Sequence, residues 1–120
     1  MKLFTKSQME ELLKNGAIAN RERLGEIEEE MTRKPVVKLF TPWGSATWLI
    51  SEIDPDDQDI AFGLCDLGMG CPELGSVSIA ELLSVSGPMG LRVERDLHWS
   101  AEKPLVAYAD DARLHNAIQT

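Results

Sequence analysis

Cysteines are few and long apolar runs are missing, and each shortage excludes a class of protein. Cys65 and Cys71 are the two cysteines of the 120-residue chain. Their spacing matches no common zinc pattern, even with His98 and His115 as further ligands. We therefore predict two small core thiols, without a metal ion or another cofactor. No run approaches the roughly 18 apolar residues of a membrane span, and the N-terminal residues do not resemble a signal peptide. We expect a cytoplasmic protein that does not bind membranes.

Basic side chains are also scarce. Twelve Lys and Arg face twenty Asp and Glu, which gives a net charge of −8. No segment is basic, so the surface that neutralises nucleic-acid phosphates is missing, and we expect no direct binding to DNA or RNA. The surplus of acid leaves two interpretations open: it keeps the protein in solution, or it imitates DNA toward a basic protein, through Glu26–Glu30 and Glu52–Asp59.

Catalytic motifs are missing too. The sequence contains no Gly-x-Ser-x-Gly elbow, no phosphate-binding Gly-x-x-x-x-Gly-Lys and no His-Glu-x-x-His. Whether the protein is an enzyme stays open, but these absences favour a non-catalytic role.

The length of the chain fits one domain, which we take to span residues 1–120.

The N-terminal third has helical signals. Thr5 and Gln8 fit a capping box, an apolar stripe follows, and Gly16 is a typical stop, so we predict a helix over 5–15. Residues 17–34 are expected to form a second short helix or a variable connector. Two acid–base pairs at helical spacing would support a helix there: Glu29 with Arg33, and Glu30 with Lys34.

Residues 35–99 are typical of a sheet. Pro104 is typical of a first helical position and favours a helix in the C-terminal segment 104–117. The segment 59–67 is apolar on both faces, which predicts a central strand. We predict an α+β fold: one domain with a mainly antiparallel sheet of four or five strands, on which the N-terminal helix and a short helix at 79–85 pack.

The stretch 91–99 alternates in polarity and predicts a half-buried strand. Arg95 falls on its apolar side, where an unpaired cation is costly. We expect Arg95 to pair with Glu52 or Asp54, or to lie at an edge and reach water. His98 falls on the polar, solvent-exposed side of this strand. If these four side chains converge in a pocket, they are candidate binding or catalytic residues.

Trp43 is a separate candidate because it follows Pro42 at the tip of a predicted hairpin. Exposed tryptophans are enriched at protein interfaces, so Trp43 is a candidate binding residue. The alternative is that it folds back over Trp48 or Pro42.

Five short motifs occur together in the chain: "KLFTP" (38–42), "TW" (47–48), "FGLCDLG" (62–68), "PELG" (72–75) and "GPMGLRVERDLHW" (87–99). In this combination they resemble the bacterial domain-of-unknown-function 2958 family. The resemblance implies a small accessory protein of plasmids and integrative elements, encoded beside conjugation and antirestriction genes, without an assigned activity or cofactor. Family members often carry Asp where this chain has Trp43.

Three hypotheses for function follow from these features. The first is a non-catalytic protein that binds another protein, such as a host-defence or conjugation component, with a homodimer also possible. The second is an enzyme or small-ligand binder built around Arg95 with Glu52, Asp54 or His98. The third is an acidic DNA mimic.

Overall fold

The computed structural model describes residues 2–120, so Met1 lies outside the described part of the predicted domain. It confirms the α+β prediction. Five antiparallel strands form one sheet in the order β4-β3-β2-β1-β5, with helices on both faces. The elements, in chain order, are α1 (Lys6–Arg23), β1 (Val37–Phe40), β2 (Thr47–Ile53), β3 (Ile60–Asp66), β4 (Glu73–Ser78), α2 (Ile79–Ser84), β5 (Glu94–Arg95) and α3 (Leu105–His115).

The sheet separates two apolar clusters. One contains Leu12 of α1 and Ala61 of β3, and the other contains Leu64 of β3 and Tyr108 of α3. β3 therefore buries both faces, as predicted, and it lies between β2 and β4. None of the helices described for residues 2–120 is both long and apolar enough to cross a membrane.

Helix α1 is longer than predicted. The capping box of Thr5 and Gln8 is confirmed. However, Gly16 does not end the helix, which continues to Arg23. A Cβ on Gly16 would lie 1.8 Å from the carbonyl oxygen of Ile53. The glycine therefore lets the helix cross the end of β2 at close range.

The strand predicted over 91–99 is mostly wrong, because β5 contains just two residues. The Asp96 carboxylate accepts a hydrogen bond from the backbone N–H of His98, 3.1 Å, which turns the chain. As a result, Val93 packs on the α1 side of the sheet, whereas Trp99 packs on the α3 side, 6.0 Å from Tyr108 between ring centroids.

Candidate functional site

The structure does not bring the four predicted site residues to one place, although Glu52 and Asp54 line the same small cavity. Arg95 pairs in register with Leu39, which belongs to the cluster on the α1 side. Glu52 pairs with Phe62, which packs with the cluster on the α3 side. Residues directly opposite one another in an antiparallel pair share a face of the sheet. Arg95 and Glu52 therefore lie on opposite faces.

Arg95 lies at an edge of the sheet, which is the second of the two environments expected for it. It lies on the edge strand, and its Nη1 donates a hydrogen bond to the carbonyl oxygen of Lys2 at 2.9 Å. Within residues 2–120, no carboxylate lies within 4.0 Å of its guanidinium group. The expected ion pair with Glu52 or Asp54 is thus wrong, because the edge position leaves the cation in reach of water.

Asp54 is engaged by neighbouring groups, and His98 does not line the cavity that Asp54 shares with Glu52. Asp54 accepts hydrogen bonds from the backbone N–H of Asp56, 2.9 Å, and from the Asn20 amide, 3.1 Å. These bonds hold the pKa of Asp54 below its usual value. His98 is exposed in the turn after β5. Asp54 is therefore a turn-forming residue that ties the β2–β3 loop to α1.

Several acids of the two proposed DNA-mimicking segments are engaged within the chain. Glu26 pairs with Arg21 at 3.5 Å. Asp59 accepts hydrogen bonds from the Ser78 hydroxyl at 2.6 Å and from the backbone N–H of Ala80 at 2.8 Å, at the start of α2. These contacts also lower the pKa of Asp59.

The two cysteines are free thiols. Cys65 is half-buried in β3, and this burial raises the pKa of its thiol. Cys71 is exposed, so the predicted core position is wrong for this cysteine. Across residues 2–120, no three His, Cys, Asp or Glu side chains are grouped as metal ligands.

The partner of Glu52 is Arg33, which is not among the site residues predicted from the sequence. The Arg33 Nη2 lies 2.7 Å from Glu22 Oε1, and its Nη1 lies 3.6 Å from Glu52 Oε1. All three side chains are largely buried, with exposed fractions of 16% for Arg33, 6% for Glu22 and 15% for Glu52. The predicted i,i+4 pair of Arg33 with Glu29 is wrong, because the connector is not helical at Arg33.

The two carboxyl groups respond differently to Arg33. Burial alone would raise the pKa of Glu22, but hydrogen bonds from Arg33 and from the backbone N–H of Glu30, together with the charge of Arg33, lower it overall. For Glu52, burial outweighs the charge of Arg33, so its pKa is raised. Glu22 is therefore the main ion-pair partner of Arg33. The negative charge of Glu52 is only weakly compensated by the same guanidinium group.

A cavity of about 460 Å³ adjoins this Glu22–Arg33–Glu52 triad. Glu52 and Ser51 reach it from β2, while the connector and the C-terminal end of α1 close another side. The apolar part of its wall consists of Ala19, Met31, Phe62, Leu74, Leu105 and Val106. The volume lies in the range of small-molecule sites.

A second concave surface lies between α2 and the segment that leads into β5. We call this the α2 groove. Its volume is about 520 Å³, and charged side chains are confined to Arg92 and Glu94. The apolar lining consists of Leu3, Leu82, Leu83, Leu91 and Val93.

A small hairpin over residues 86–92, the Met89 hairpin, borders the α2 groove. Ser86 and Arg92 form a β-bridge, and the backbone N–H of Gly87 donates to the Leu91 carbonyl oxygen at 2.8 Å. At its tip, Met89 has φ 60° and ψ 25°, and Gly90 has φ 75°. Positive φ at both central residues is the type I′ turn of tight hairpins. The Met89 side chain is fully exposed, at 100%.

Trp43 fixes the base of the Met89 hairpin. The indole ring of Trp43 lies against the backbone of Gly87, so that a Cβ there would lie 2.2 Å from Trp43 Cδ2. Trp43 is half-buried as a result. It therefore packs across to a segment that is distant in sequence, which neither of the two expectations for Trp43 included.

The comparisons with known proteins agree with the resemblance seen in the sequence motifs. A family model described as "Protein of unknown function (DUF2958)" matches residues 3–119, nearly the whole chain. No curated protein and no solved structure matches. The chain therefore belongs to the DUF2958 family of proteins of unknown function.

Proposed function

We propose that this protein is a cytoplasmic, non-catalytic accessory protein that binds another protein through the Met89 hairpin and the α2 groove. The resemblance to proteins of plasmids and integrative elements suggests a host-defence or conjugation component as the partner. The observation that carries this proposal is the conformation and exposure of Met89.

Met89 is unfavourable for the isolated fold in two ways. Its φ of 60° is a region where residues other than Gly and Asn are strained. Its side chain is fully exposed, so no apolar contact within the chain offsets this strain. Type I′ turns favour Asn-Gly at these two positions, and this chain has Met-Gly. Residues held in strained conformations cluster at binding sites. Contact with a partner would account for an exposed methionine in this conformation.

The surface around Met89 is prepared for apolar contact. Leu83 is 51% exposed and Leu91 is 38% exposed, and both border the α2 groove. The backbone hydrogen bonds of the hairpin and the contact of Trp43 with Gly87 hold Met89 in place before a partner arrives. Such preorganisation lowers the entropy lost on binding. Thioether side chains adapt well to apolar partner surfaces.

Site-specific photo-crosslinking tests this proposal. A photoreactive residue at position 89 should link the protein to one partner polypeptide in cells that produce it naturally. The matched control is position 69, because Met69 is 76% exposed and does not line the α2 groove. The partner should not be linked from position 69. Equal labelling from both positions, or none from position 89, would contradict the proposal.

A further inference from the structure

The cavity beside the Glu22–Arg33–Glu52 triad combines an apolar wall with a carboxylate that has spare acceptor capacity. Glu52 Oε1 lies 3.6 Å from Arg33 Nη1, which is too long for a hydrogen bond. The Ser51 hydroxyl donates to the same oxygen at a weak 3.4 Å. Glu22, in contrast, accepts hydrogen bonds of 2.7 Å from Arg33 and 2.5 Å from the Glu30 amide. The chain therefore satisfies the hydrogen-bonding capacity of the Glu22 carboxylate, but it leaves that of the Glu52 carboxylate largely unused.

A poorly satisfied carboxylate in a largely buried position is costly, and a donor from a ligand would offset that cost. Glu52 lines the cavity, so an entering group can reach it. It also lines a smaller adjoining cavity of about 100 Å³ together with Asp54. The position of Glu52 thus favours a ligand that carries N–H donors.

The charge of the cavity lining determines whether a positively or a negatively charged ligand is favoured. The guanidinium group of Arg33 is paired with Glu22, and that of Arg23 donates a hydrogen bond to the Asn20 amide oxygen. The remaining field is negative, because four carboxylates face two guanidinium groups, a net charge of −2. These groups are Glu22, Glu29, Glu30, Glu52, Arg23 and Arg33.

We propose that this cavity binds a small organic cation, an amine whose ammonium group contacts Glu52 and whose apolar body lies against Phe62, Leu74 and Leu105. The apolar residues supply the area that a hydrocarbon body needs to leave water. The carboxylate supplies orientation and the choice of charge. This site is separate from the α2 groove, so it does not depend on the proposed protein-binding function.

Benzylamine is a suitable probe, with benzyl alcohol and benzoate as its neutral and anionic counterparts. Each is titrated into the full chain while backbone amide chemical shifts are followed by NMR. Benzylamine should give saturable shifts at amides lining the cavity, such as those of Ser51, Leu74 and Val106. Benzyl alcohol should bind at least tenfold more weakly, and benzoate should leave these amides unchanged.

Two variants connect the binding to Glu52. Glu52→Gln should weaken benzylamine binding at least tenfold while its spectrum remains that of a folded protein. Glu73→Gln removes an exposed carboxylate of β4 that does not line the cavity and should bind benzylamine as the natural chain does. Equal affinity for benzyl alcohol, unchanged affinity in Glu52→Gln, or no saturation by benzylamine at millimolar concentrations would each overturn the proposal.

Discussion

Trp43 and Gly87 are 44 positions apart in the sequence, and their contact joins the tip of the β1–β2 hairpin to the base of the Met89 hairpin. The indole covers the glycine so closely that a Cβ would lie 2.2 Å from Cδ2, 2.5 Å from Cε2 and 2.6 Å from Cε3. The indole is a rigid ring, so it can give way only as a whole, by rotation about χ1 and χ2. This contact therefore sets where the exposed methionine is presented.

Gly87→Ala should force the indole and the hairpin apart. We expect the free energy of unfolding to fall by about 2 kcal/mol, because overpacking at a rigid contact has costs of this order. Denaturant unfolding monitored by tryptophan fluorescence measures the loss. Gly75→Ala is the matched control, since no atom lies within 4 Å of its added Cβ, and its stability should change little. Equal effects of the two substitutions would contradict the importance of the Trp43 contact.

Gly16→Ala tests the close crossing of α1 over β2. Alanine is better than glycine inside a helix by about 1 kcal/mol, so propensity alone predicts a more stable protein. The added Cβ would lie 1.8 Å from the Ile53 carbonyl oxygen, and the helix would have to shift. We therefore expect a net loss of about 2 kcal/mol in urea unfolding.

The neighbouring position provides the scale for that measurement. Ala17 is exposed on the same helix, so Ala17→Gly should cost about 1 kcal/mol from propensity alone. A Gly16→Ala protein more stable than the natural chain would mean that the helix does not need the close approach.

The Glu22–Arg33–Glu52 triad predicts two opposite pH dependences. Burial raises the pKa of Glu52 in the folded protein above its ordinary value of 4.5. The folded state therefore holds this proton more tightly than the unfolded chain, and stability falls as pH rises from 4.5 through the folded value. The Glu52→Gln variant has no titratable group at this position. Its stability relative to the natural chain should increase across that window, as urea unfolding at a series of pH values would show.

Glu22 provides the reverse case and serves as the internal control. Its pKa is lowered in the folded state from 4.5, so its stabilising contribution is complete above 4.5 and is lost as pH falls through the folded value. Glu22→Gln should thus be less stable than the natural chain at neutral pH, with a difference that shrinks in acid. The same pH trend in both variants would show that Arg33 does not distinguish the two carboxylates.

Local patterns predicted the elements of this fold better than its site. The capping box at Thr5, the apolar faces of β3 and the β1–β2 hairpin all depend on neighbouring residues, and all are present. Gly16 was misread because a helix stop and a close helix–strand contact both select glycine. Its partner, Ile53, is far away in sequence.

The site depends on distant contacts that alternation and spacing do not encode. In the sequence, Glu52 is one of two candidate partners for Arg95. The partner of Glu52 in the structure, Arg33, comes from an irregular connector, whose path a sequence pattern does not define. For Arg95 the sequence leaves open a pair with Glu52, a pair with Asp54 or an edge position in reach of water. Strand parity does not reveal that Arg95 and Glu52 lie on opposite faces of the sheet.

Met89→Asn measures the central claim most directly, because it separates folding from binding at one residue. Asn is favoured at this position of a type I′ turn, so the variant should unfold with a free energy about 1 kcal/mol higher than that of the natural chain. Its affinity for the partner recovered by crosslinking at position 89, measured with purified proteins, should fall at least tenfold, because the exposed apolar side chain is lost. A more stable variant that binds less tightly is the result we predict. A more stable variant with unchanged affinity would contradict the account, since Met89 would then be a strained residue without a role in binding.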